Sequence, residues 1–477
     1  MKYLIYISIF LIVFVSVFFS LRYLRRLKKD MMFKLLVQYL ISKQKYDGRE
    51  MFFSTPGIYE LIKCGGNLQN IDNISPYSTA IVNAFTNPTS VIRDFEKLCN
   101  MAPENNLFKA ELAKLYLINE RIEQAEDLIE KIDDRRSNNY TKAIKYYIQS
   151  ICSTSNGDML DASQKASLAL RFFEKDKAFF EMAKTYLQLG TIYRVSATYD
   201  IAQCMFEAAK DIFIKMKLDI YHAISLANLG MLTAAQKRYE EAEECFAKAL
   251  EINIKLNNLC GQAEILNQIA LMETTKKQYD KALDLAQSAQ NIHHQNNNIV
   301  GEALSWDIIS YIKSGEQKYQ EVIETTAKAI NLYEITNNTS AKYEMLFMQA
   351  SAYFELGKYI EAENILRNII KFSDEHSSCF HSANAYNLLG LIFLQKNDLQ
   401  KAKTFFMQAV QREERNDRLS GAAVDYANLA LIEQKCGNQE QAEKTLKLAL
   451  EYAQNSDDNN LIEQIKSQMN KLNCIQD

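Results

Sequence analysis

The chain has 477 residues, 48% of them apolar, with only 4 Pro and 14 Gly. So few breakers argue against a β-rich fold with many tight turns, and for long helices in two to four ordinary domains or one elongated repeat array. Net charge is −4 but unevenly placed: residues 1–50 balance to +7 and the remainder to −11, which argues against nucleic acid along the body and for an anionic membrane surface at the head.

Tyr3 to Leu21 is a run without charge, broken only by Ser8, Ser16 and Ser20. At about 1.5 Å per residue its helix would cover roughly 28 Å, close to the hydrocarbon core of a bilayer. A cleaved secretory signal would need a small-residue cleavage site, and bulky Phe18 stands where one is wanted. Arg22, Arg25, Arg26, Lys28 and Lys29 follow at once, against Lys2 alone before the run. Positive charge stays on the cytoplasmic side, so residues 1–21 are expected as a transmembrane anchor with the bulk of the chain cytoplasmic. Residues 22–75 are expected as a basic juxtamembrane helix and linker. Within them Pro56 to Cys64 reads as a short helix ended by Gly65-Gly66.

From residue 76 a repeat governs the sequence. A small residue recurs at Ser150, Gly190, Gly230, Ala270, Ser310, Ala350, Gly390 and Ala430, always 40 apart. Twelve positions after each come Ala162, Ala202, Ala242, Ala282, Val322, Ala362, Ala402 and Ala442, and seven further on Ala169, Ala209, Ala249, Ala289, Ala329, Ile369, Ala409 and Ala449. An aromatic precedes the second series by three at Tyr199, Tyr239, Tyr279, Tyr319 and Tyr359. Two antiparallel helices approach closely only where both lack bulk, so small residues mark their crossing. Asn257-Asn258, Asn297-Asn298 and Asn337-Asn338 suit the left-handed residue that ends a second helix.

The stretches NLGMLTAAQKRYEEAEECFAKALEI and NLLGLIFLQKNDLQKAKTFFMQAV resemble the tetratricopeptide consensus in their small eighth residue, their second-helix Tyr-x-x-Ala and their later Ala. The 40-residue unit looks like the lengthened repeats of kinesin light chains, Pins-type polarity adaptors and bacterial peptide-pheromone receptors. Thr79 and Ala113 mark two tighter units upstream. The resemblance implies an all-α superhelical solenoid of about ten hairpins over 76–456. A capping helix over 457–477 is expected from the amphipathic set Leu461, Ile462, Ile465, Met469 and Leu472.

In that family the first helix of each hairpin lines the concave surface. The corresponding positions here include Gln188, Asn228, Asn267, Gln268, Asp307, Asn387 and Asn428, with Tyr311 among interleaved apolar residues. Carboxamides both donate to and accept from a peptide backbone, so the partners implied are other proteins or extended peptides. The lysine and arginine clamp of chaperone-binding members is absent, since its positions hold Ile148, Gln188, Asn228 and Gln268.

No Gly-rich phosphate cradle, G-x-S-x-G or H-E-x-x-H occurs, so no catalytic residue, cofactor or small-molecule substrate is expected. His376, Cys379 and His381 share one inter-repeat loop, but no fourth ligand stands near and no metal is expected. Trp306 reads as a packing residue. Nine scattered cysteines without a C-x-x-C pair fit a reducing compartment. The leading expectation is therefore a membrane-anchored interaction scaffold. The alternatives are a peptide-sensing regulatory receptor and an outward-facing envelope-assembly factor.

Overall fold

The computed structural model describes residues 76–473, except 87–89, 120, 156, 376–379, 416–417 and 457–458, together with residues 54–56 and 58. The expected membrane span at 3–21 and nearly all of 22–75 lie outside the described residues. Among those described, no helix is long and apolar enough to cross a membrane.

The described residues form helices and no strands. First come α1 (Pro76–Thr86), α2 (Ile92–Met101), α3 (Asn106–Ile118), α4 (Ile122–Glu130), α5 (Asn139–Ser155), α6 (Met159–Asp176) and α7 (Phe179–Val195). Next are α8 (Tyr199–Met216), α9 (Asp219–Ala235), α10 (Tyr239–Lys255), α11 (Leu259–Thr275), α12 (Tyr279–Gln295), α13 (Ile299–Gly315) and α14 (Tyr319–Thr336). The last are α15 (Thr339–Glu355), α16 (Tyr359–Glu375), α17 (Phe380–Gln395), α18 (Leu399–Arg415), α19 (Leu419–Lys435), α20 (Gln439–Asn455) and α21 (Asn459–Asn473). They fall into two compact units, one of Met1–Ser150 with Ser163–Leu232, the other of Ile151–Ala162 with Thr233–Asp477.

In the second unit α11/α12, α13/α14, α15/α16, α17/α18 and α19/α20 are helical hairpins, and each packs on the next. The first helices also touch across the stack, α11 with α13, α15 with α17 and α19 with α21. The register of small residues explains this closeness. Ala270, Ala282 and Ala289 are completely buried, as are Ala350, Ala362 and Ile369. At Gly390 an added Cβ would lie 2.6 Å from the Phe406 ring, so the α17/α18 crossing admits no side chain at all. In the first unit Gly190 stands in the same relation to Phe206, at 2.5 Å.

The turns show a shorter period than the sequence does. A residue with positive φ recurs every 20 positions, at Lys177, Ala197, Lys217, Lys237, Asn257, Lys277, Asn297, Gln317 and Asn337. Each turn closes the same way: the N–H after that residue bonds the carbonyl five positions back, as in Gln278 to Glu273 at 2.9 Å. This 6→1 bond satisfies a carbonyl that the helix end would otherwise orphan. Asn258, Asn298 and Asn338 then cap the following helix, each accepting from the N–H three residues on. A paired Asn thus ends one helix and starts the next.

Gly261, Gly301 and Gly421 leave room for the buried polar end of the preceding helix. An added Cβ would strike Asn253, His293 or Glu413 respectively. His293 is neutral there: burial pushes its imidazole down to about 4, and Nδ1 faces the Asn298 amide at 2.9 Å. Helix α21 lays Leu461 and Ile465 over Ala442, Leu446 and Ala449 at the end of the stack.

Candidate functional site

The side chains proposed to face a partner do lie on first helices, but most are already engaged within the chain. Asn267 on α11 is buried and donates to the Ser305 hydroxyl on α13 at 2.9 Å. Ser305 in turn donates to the Gly301 carbonyl. Asn387 on α17 donates to the Asp425 carboxylate on α19. Asn228 on α9 returns its amide to the Ile224 carbonyl one turn back, at 2.9 Å. These three carboxamides are thus engaged within the chain. First helices lie so close that side chains 38 residues apart meet.

What remains open is narrower. The Asn267 Oδ1 and Gln268 Oε1 atoms are buried without a hydrogen-bond partner among the described residues. Tyr311 is exposed and Asn428 half-buried, whereas half-buried Gln188 is engaged within the chain. Asp307 on α13 is pushed up to about 7, chiefly by burial and then by Glu344, with the Tyr333 hydroxyl opposing. Asp425 is pushed up to about 8 by burial, against the Asn387 amide, with Glu413 raising it and Arg418 lowering it. An ordinary Asp carboxyl titrates near 3.9, so both acids hold or share a proton near neutrality and can donate as well as accept.

Ser305 and Asp425, the partners of the two carboxamides, were not singled out by the sequence. The signal that finds them is the interval itself, one repeat less two residues. Trp306 packs against Ala303, Met345 and Ile309, with the Lys328 ammonium 4.0 Å from its ring centre. It is part of the core wall. Among the described residues no three His, Cys, Asp or Glu side chains cluster as a metal would require. His376 and Cys379 lie outside those residues. Cys152 and Cys260 are buried, Cys204 and Cys436 exposed, and none of these is in a disulfide.

The sequence profile of the tetratricopeptide repeat matches residues 181–255 and 221–295. A second profile of the same repeat matches 343–376, 383–416 and 426–456. No curated protein matches the sequence. Among solved structures, a Rap protein complexed with competence and sporulation factor aligns with TM-score 0.50 at 12% identity, over 76% of this chain and 99% of that one. A signal transduction ATPase with a tetratricopeptide repeat sensor from Pyrococcus horikoshii gives 0.49 at 14%, over 91% and 65%. Aspartyl phosphate phosphatase F from Bacillus subtilis gives 0.41 at 14%, over 81% and 94%. The matched residues 181–295, 343–376, 383–416 and 426–456 are tetratricopeptide repeats, and the first likeness shows the fold, an all-helical solenoid.

Proposed function

We propose that the chain is a membrane-anchored scaffold that binds other proteins, or extended segments of them, on the first helices of its repeats. The observation that supports this best is the pair of orphaned acceptors at Asn267 Oδ1 and Gln268 Oε1. A buried acceptor left unpaired costs about 1–3 kcal/mol, and half-buried Gln268 recovers that by turning its carboxamide outward to a partner's backbone N–H. Exposed Tyr311 lies on the next first helix, where a two-χ aromatic supplies contact area at low entropic cost. Repeat stacks are built to present such a face, and the neighbouring positions of successive hairpins carry the contacts.

The test uses residues that carry no bond to a neighbouring first helix. Gln268→Ala, Tyr311→Ala and Asn428→Ala together should abolish recovery of the partners captured by the parent chain. A control on the second helices, Lys248→Ala, Lys371→Ala and Lys447→Ala, should recover them in full. Equal recovery by both would remove the face from consideration. Anchoring rests on the charge asymmetry around residues 3–21. A reporter active only in the cytoplasm, fused after Asp477, should give signal. An inactive reporter with a mature N-terminus near residue 21 would overturn the orientation.

A further inference from the structure

A short segment ahead of the array is bound inside the first unit. Ser54 and Ile58 are completely buried and Thr55 nearly so. The Ser54 hydroxyl donates to Glu111 Oε1 on α3 at 2.5 Å. Thr55 donates twice to Glu181 on α7, its amide N–H to Oε1 at 3.0 Å and its hydroxyl to Oε2 at 2.7 Å. Tyr140 on α5 stands between the two acids, donating to Glu181 at 3.0 Å and accepting from Lys114 Nζ at 2.8 Å. Lys114 also pairs with Glu111 at 3.0 Å. Ile58 completes the contact in the apolar cluster of Ile81, Phe95, Leu112 and Phe180.

Helices α3, α5 and α7 are alternate helices along the chain, the equivalents of the first helices of the second unit. Their buried side chains set two carboxylates against one ammonium, so the site is short of positive charge and rich in acceptors. Hydrogen bonds to ionised acceptors are the strong ones. A buried carboxylate that loses its donors is left costly. Burial already pushes the Glu111 carboxyl up, against the opposing pull of Lys114 and Ser54.

We propose that α3, α5 and α7 form a docking site for a short, neutral, hydroxyl-bearing peptide, and that Ser54, Thr55 and Ile58 fill this site in cis. The recognised features are two successive hydroxyl residues, a backbone N–H on the second that donates to Glu181, and a branched apolar residue three positions later. An acidic or phosphorylated segment is rejected by Glu111 and Glu181. A partner segment of the same chemistry gains this face only when residues 54–58 leave it. The inference is independent of the binding face on the second unit, because the contact is intramolecular and its test needs no partner.

The experiment uses the full-length chain and two readouts, hydrogen exchange over 54–58 and binding of a fluorescent peptide with the uncharged sequence of residues 52–59. Thr55→Glu sets a third carboxylate against the two acids without touching the helices. It should speed exchange over 54–58 by about tenfold or more, the loss expected for charge-assisted bonds, and let the added peptide bind. The parent chain and Thr55→Ser should stay protected and refuse the peptide. Glu181→Gln, made on the site itself in the Thr55→Glu chain, should weaken peptide binding again. Equal exchange in parent and Thr55→Glu chains overturns cis docking. A peptide that fails to bind the Thr55→Glu chain, or binds the parent equally well, overturns the docking site.

Discussion

Asn267 donates its side-chain amide to the Ser305 hydroxyl at 2.9 Å, joining the first helices of two successive hairpins. Asn387 and Asp425 repeat the relation three hairpins further on, at the same separation of 38 residues. Such rungs fix the rotation of one hairpin on the next, because the apolar contacts around them are non-directional. In a double-mutant cycle, Asn267→Ala and Ser305→Ala should therefore couple by about 0.5–1.5 kcal/mol. Urea unfolding of the two single variants and the double variant measures it. Strict additivity would mean that the bond contributes nothing to stacking.

The crossing of α17 and α18 should be the least tolerant position in the second unit. Gly390→Ala places a methyl 2.6 Å from Phe406 Cε1, and the ring is completely buried with no room to swing away. Overpacking of this kind costs about 1–3 kcal/mol. The same substitution at Lys248, on an exposed helix face, should change the urea midpoint little. A Gly390→Ala chain as stable as its parent would show that the two helices can separate without penalty.

The turns offer a matched pair of opposite sign. Lys277 has φ of 59°, a left-handed conformation that its Cβ disfavours. Lys277→Gly should raise stability by about 1 kcal/mol, the steric relief being partly offset by the freedom glycine brings to the unfolded chain. Gly437 has φ of 80° and open space where a Cβ would go, so Gly437→Ala isolates the backbone strain and should cost about 1 kcal/mol. Thermal unfolding of both variants checks the pair. Shifts of the same sign would sink the argument.

The helical repeat was legible because close approach leaves a mark on composition. Ala270, Ala282 and Ala289 are small for a reason that recurs every 40 residues. The finer 20-residue period was not legible, since Ala197, Lys237, Lys277 and Gln317 have no taste for positive φ. The 6→1 bonds impose that conformation on whatever residue stands there. The second Asn of each pair was read only as part of a helix end. Its capping role belongs to the next helix, because three residues serve both ends of a turn. The polar face was readable as a face but not as a set of free side chains. Whether Asn387 meets Asp425 depends on the spacing of hairpins, which no single repeat encodes. The binding of Ser54 and Thr55 left no periodic trace at all, their partners lying 57 and 126 residues away.

The second unit should gain stability on mild acidification, against the usual trend for paired carboxylates. Asp307 and Asp425 have folded values of about 7 and about 8, while the unfolded chain holds an ordinary Asp near 3.9. Between those limits the folded state binds more protons than the unfolded one. A group raised in this way contributes stability that is full below about pH 4 and is lost as pH rises through its folded value. From pH 5 to pH 8 the unit should accordingly lose on the order of 3 kcal/mol for each acid. Glu316 and Glu363 act in the opposite sense, because their lysine and arginine partners hold them below the usual carboxylate range. Their contribution fades only below that range, so it leaves the window above pH 5 untouched. His293, pushed down to about 4 by burial, opposes the gain there by roughly 2 kcal/mol and is outweighed by the two acids together. Asp307→Asn and Asp425→Asn carry no titrating proton. Together they should raise the urea midpoint at pH 8, leave it nearly unchanged at pH 5 and flatten the slope between. The Asp425 variant keeps a polar partner for the Asn387 amide, so its gain at pH 8 is not masked by a broken rung. Parallel pH profiles for the parent and double-variant chains would show that neither acid is held protonated by the fold.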